Sequence, residues 1–161
     1  MPKLMKKILV ALISLVSLAP SVFLVTQASA SPRQQMTSWS SAFMAQMNKY
    51  QSTVDQMLPA VKRAIAGDTS AAMTVASQLG KECVAINKLQ TSPSPAVNSM
   101  VNKIAIHVQN LGKQVLGFIL AMRVAPDAAA MYLKQIAQAE NSVTTDVKSM
   151  TALINTWNAL H

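Results

Sequence analysis

Apolar residues recur along this chain at alternating spacings of four and three, the period of a helix that buries one face. Phe43, Met47, Tyr50, Val54, Met57, Val61 and Ala64 form the first stripe, and Met36 and Trp39 extend it toward its start. Gly67 is suited to the position just past the end of that helix. Pro59 lies inside the pattern, where its ring removes a backbone donor and meets the carbonyl of Asp55, so a kink or a break into two helices is expected there.

Asp68 is placed to cap a second helix, in which Ala72, Ala76, Leu79, Cys83 and Ile86 repeat the alternation and turn Cys83 inward. The run Thr91-Ser92-Pro93-Ser94-Pro95 ends that element, with Ser94 as the next cap and Pro95 at the first turn of the next helix. The third stripe is the most regular: Val97, Val101, Ile104, Val108, Leu111, Val115, Phe118 and Met122. From Val115 to Met122 the helix is apolar nearly all round. A fourth helix starts near Pro126-Asp127 and runs toward Leu160, with Tyr132 or Leu133, then Ile136, Val143, Val147, Met150, Ile154 and Trp157 inward. Glu140 falls in this stripe, and Ala139 is expected to take its place. Four helices joined by short connections imply antiparallel neighbours, hence an all-α, up-down-up-down four-helix bundle over residues 31–161. Helices of about 30 residues would make it roughly 45 Å long.

The first 30 residues have a different pattern. Lys3, Lys6 and Lys7 precede an apolar run from Ile8 to Leu18, and Ala28-Ser29-Ala30 offers the small-x-small sequence that a signal peptidase accepts. Residues 1–30 therefore read as a signal peptide cleaved after Ala30, and the protein as exported to the cell envelope or secreted. The competing reading is an uncleaved anchor, because Ile8 to Val25 approaches membrane-spanning length, and Pro20 argues against it. No cysteine lies near the site to take a lipid.

Cleavage leaves 131 of the 161 residues, with 11 Lys and Arg against six Asp and Glu, and a net charge of +5. A chain of this length buries about two thirds of its unfolded surface, so it needs no disulfide or metal staple. Cys83, the single cysteine, reads as a buried small hydrophobe or as half of an intermolecular disulfide. General acid-base catalysis needs titratable groups brought together, and with six carboxylates, His107 and a terminal His161, no two are expected to share a pocket; the chain reads as no enzyme. Lys62-Arg63 is the one adjacent basic pair after residue 30, and the other cations are scattered, so no nucleic-acid surface is expected. Membrane contact is expected to be peripheral at most.

His107 lies beside the third stripe, and with a methionine from a facing helix it could ligate haem iron; a covalent haem motif is excluded by the lone cysteine. Met44 and Met47 could offer thioethers to copper(I). Methionine at core spacing is more often flexible filler, so no cofactor is the leading expectation.

Trp39, Asp55, the Ala64-Ile65-Ala66-Gly67-Asp68 junction, Cys83, Pro93-Ser94-Pro95 and Pro126-Asp127 together resemble a broad group of small exported helical proteins from mycobacteria and other actinobacteria. The likeness covers most of the chain after residue 30. It implies export and a helical fold and supplies no activity. Many members of that group carry a second cysteine near the third-to-fourth junction, where this chain has Leu120-Ala121-Met122-Arg123-Val124-Ala125, so no intramolecular disulfide can form here. The low charge, 17 of 131 residues, and the Met-rich stripes point to a non-enzymatic bundle that binds an envelope protein along a helix groove or an apolar small ligand between helices.

Overall fold

The computed structural model describes residues 30–161, so the signal-peptide reading of residues 1–30 lies outside the described residues except for Ala30. Four helices follow in order: α1 (Pro32–Ile65), α2 (Ser70–Asn87), α3 (Pro95–Val124) and α4 (Ala129–Leu160), with a single 3-10 turn, Pro126–Ala128, before α4. They form an up-down-up-down bundle. No helix among the described residues is long and apolar enough to cross a membrane.

Four helix ends have a local cause. Ser31 caps α1 through a capping box: its Oγ accepts the Gln34 N–H (3.3 Å), Gln34 Oε1 accepts the Ser31 N–H (2.9 Å), and Pro32 takes the first turn. The same helix stops at Gly67, whose φ of +100° suits glycine; the Gly67 and Asp68 N–H groups turn back to the carbonyls of Ala64 and Arg63. Asp68 then accepts the Ser70 N–H at 3.0 Å, capping α2 from one residue before its formal cap, Thr69. Ser94 caps α3 as the sequence suggests. Around it, Asn98 closes the turn by accepting the Ser92 N–H and donating to the Ser92 carbonyl.

Pro59 does not split α1, which runs unbroken for 34 residues. It sits on the exposed face, where the Asp55 carbonyl that loses its partner can meet water. The second helix is the short one, 18 residues or roughly 27 Å, against the 30-residue expectation.

The four stripes close on one core, in which Met36, Phe43, Tyr50, Leu79, Ile104, Leu111, Phe118 and Met150 are fully buried. Each such side chain contributes roughly 1.5–3 kcal/mol relative to exposure. Ala139, not Glu140, fills the stripe of α4, and Tyr132 rather than Leu133 packs against the core. Phase decides one position differently. The inward face of α2 carries Val75, Leu79, Glu82 and Ile86, so Glu82 is buried and Cys83 only half-buried.

Consecutive helices pack closely, α3 against both α2 and α4, and α1 against α2. At one end of the bundle, Arg33 Nη2 on α1 donates to the Asn158 carbonyl of α4 at 2.8 Å.

Candidate functional site

Two buried carboxylates each join a pair of helices. Glu82 on α2 is 3% exposed and accepts from Gln78 on its own helix (2.6 Å) and from Gln46 on α1. Asp146 on α4 is 2% exposed; its Oδ2 lies 2.6 Å from His107 Nδ1 and its Oδ1 2.9 Å from Lys103 Nζ, both on α3. A buried carboxylate needs such partners, because taking the charge out of water is costly unless it is paired or hydrogen-bonded. His107 and Lys103, four apart, share one flank of α3, and both reach the same acid. The sequence-based expectation that no two titratable groups meet is corrected here. His107 and Asp146 are 39 positions apart, and only the α3–α4 register makes them neighbours.

The methionine candidates lie elsewhere. Met44 (8% exposed) and Met47 (2%) are packed into the core from α1, and the hydrogen-bonding partner of His107 is Asp146. Cys83 rests half-buried against the core; burial pushes its thiol above the ordinary cysteine value, against an opposing pull from Lys113.

The α1–α4 seam has a different character. Trp39 and Gln46 turn toward α2, where they meet the Leu89 carbonyl (2.6 Å) and Glu82. Ser40, Met44 and Gln51 lie on the opposite flank of α1, roughly 120–160° around the helix from Gln46, by the 100° step per residue. The charge of Glu140 on α4 bears on Tyr50, and that of Asp55 on Glu140. Burial pushes the Tyr50 hydroxyl far above the ordinary tyrosine value, and the charge of Glu140 adds to this. Burial likewise raises the Glu140 carboxyl, helped by Asp55.

Among the described residues, four buried side-chain atoms have no hydrogen-bond partner: Ser40 Oγ, Tyr50 Oη, Gln51 Oε1 and Asn158 Oδ1. All four lie on α1 or α4. Buried polar atoms are paired in the great majority of cases, so such a concentration calls for an explanation. Nothing in the spacing of Tyr50 marks its hydroxyl as unpaired; it reads as an ordinary member of the first stripe.

The surface is uneven as well. Eleven large apolar side chains of the described residues are exposed. Eight of them lie toward the pole that carries the α1–α2 and α3–α4 junctions: Leu58 and Ile65 on α1, Met73 on α2, Leu116, Leu120 and Val124 on α3, Met131 and Leu133 on α4. Leu116, Leu120 and Val124, four apart, make a nearly axial stripe on the outer side of α3.

Compared with protein-family models, with curated proteins and with solved structures, the chain matches none.

Proposed function

We infer that this is an exported, non-enzymatic helical bundle of the cell envelope that receives an apolar guest, a small molecule or a helix of an envelope protein, along the α1–α4 seam. The observation that carries the reading is the set of four unpaired buried polar atoms, all on α1 and α4. Ligand sites are mostly apolar, with a few polar groups that fix orientation. Here Met44 and Met47 supply adaptable apolar surface. Gln51 Oε1 and Asn158 Oδ1 are acceptors. Asn158 is level with Arg33, 18 residues or roughly 27 Å along α1 from Gln51, so a small guest brings an N–H or O–H group to one of them and an elongated one to both.

The test is to purify the protein from its native host, extract it with organic solvent and identify co-purifying compounds by mass spectrometry, for wild type and for Gln51→Leu with Tyr50→Phe. A stoichiometric apolar compound or peptide bearing a hydrogen-bond donor, lost in the double variant, is the expected result. Recovery of nothing from wild type, or equal recovery from both, overturns the reading.

A second reading, a haem or copper carrier, draws on the contact of His107 with Asp146. A carboxylate on one ring nitrogen is the arrangement that orients the other nitrogen of a ligating histidine. An absorption spectrum without a Soret band, together with copper analysis at background, eliminates it.

A further inference from the structure

We propose that the pole formed by the α1–α2 and α3–α4 junctions docks peripherally on an anionic lipid surface. This does not depend on what the α1–α4 seam binds. Each helix entering a connection at this pole ends on an exposed apolar side chain. Ile65, 55% exposed, ends α1 ahead of the connection Ala66-Gly67-Asp68-Thr69, and Val124, 82% exposed, ends α3 ahead of Ala125-Pro126. Connecting segments that face water are ordinarily polar, and exposed apolar concentrations mark interaction surfaces. The tips are fixed relative to each other, since Arg123 Nη2 donates to Thr69 Oγ1 at 2.8 Å and ties one junction to the other. The outer stripe Leu116, Leu120 and Val124 continues the apolar surface back from the tip along α3.

Charge selects the partner. Behind the tips stand Lys62, Arg63, Arg123 and Lys134, all exposed. The acids there are Asp127 and Asp68, and Asp68 is already held by Arg63 at 2.5 Å. Apolar tips backed by cations match the layering of an anionic bilayer surface, in which the tips reach the acyl boundary and the cations behind them lie level with the phosphates. The connection at the opposite pole is built otherwise: Ser92 and Ser94 are buried in a hydrogen-bonded turn, and the Leu89 carbonyl is taken by Trp39.

The experiment is flotation of the protein, as its cells accumulate it, with vesicles of phosphatidylcholine alone or mixed with phosphatidylglycerol. Wild type should float with the anionic vesicles and not with the neutral ones, and added salt should release it. Ile65→Glu with Val124→Glu should weaken anionic-vesicle binding about tenfold or more, as expected for withdrawing two apolar side chains from the interface. Lys62→Gln with Lys134→Gln should weaken it severalfold. Val84→Glu, at an exposed apolar position of α2 away from this pole, should change nothing. The circular-dichroism melt of each variant is compared with wild type, since these exposed positions carry little of the core. Absence of wild-type binding to anionic vesicles overturns the proposal. So does equal binding to neutral vesicles, or a Val84→Glu loss as large as that of the tip variant, which would place the binding elsewhere on the chain.

Discussion

Asp146 on α4 holds His107 on α3 through a contact of 2.6 Å from Oδ2 to Nδ1, and it does so from a position almost entirely closed to water. Lys103 takes the other oxygen, but Lys103 is itself largely exposed and free to move. His107 is therefore the better-held partner of the buried charge. Replacing His107 with Ala should destabilise the bundle by about 1–3 kcal/mol, because it leaves a buried acceptor short of a donor. In the double-mutant cycle with Asp146→Ala, the two costs should fall short of additivity by about 0.5–3 kcal/mol. Urea unfolding of the four proteins measures this, and full additivity would mean that the contact carries no coupling.

Two carboxylates should respond to pH in opposite directions. Asp68 accepts the hydroxyl and the N–H of Ser70 and pairs with Arg63, and these contacts lower its carboxyl to about 2. A lowered carboxyl stabilises the fold above its unfolded value, about 3.9, and that stability fades as pH falls through the folded value. Asp68→Asn should thus be less stable than wild type above about pH 4, with the difference shrinking as pH falls through about 2. The raised Glu140 carboxyl works the other way: the folded protein prefers the protonated form, so its ionisation costs stability as pH rises. Glu140→Gln should be more stable than wild type at neutral pH, with the difference gone below about pH 4. Thermal melts across pH decide both, and the same sign for the two variants at neutral pH would refute the assignment.

Gly117 on α3 makes room for the Tyr132 ring of α4. A Cβ built on Gly117 would lie 2.7 and 2.9 Å from Cδ1 and Cζ of the Tyr132 ring, and closer still to Cε1. Gly117→Ala should cost about 1–3 kcal/mol through this overlap. Tyr132→Ala in the same chain should recover most of it, since the obstacle is then gone. Gly67→Ala provides a contrast, because nothing lies within 4 Å of its added Cβ and the cost is only that of a positive φ, roughly 1 kcal/mol. No second-site change should rescue that variant.

Cys83 should react slowly with an aromatic disulfide reagent at neutral pH. Its thiol is raised by burial, and the thiolate is the reactive form. Unfolding in urea should speed the reaction at least several-fold. Equal rates in the folded and unfolded protein would place the thiol fully in solvent.

The linear pattern determined the number of helices, their ends and most of the core. A 3.6-residue period, a glycine past one helix and a serine before another are local properties, decided by neighbours a turn away. Tertiary structure decided everything that depends on helix phase and register. A small rotation of α2 makes Glu82 the buried residue and leaves Cys83 half outside, although the four-three spacing admits either. Tyr50 Oη and Gln51 Oε1 are left without hydrogen-bond partners by the way α1 packs into the bundle, which its spacing alone does not set. The contact of His107 with Asp146 joins residues on separate helices, and it is set by how far α4 slides along α3. The two apolar tips are each visible in the sequence, but they share a pole only because antiparallel packing brings both junctions to one end of the bundle.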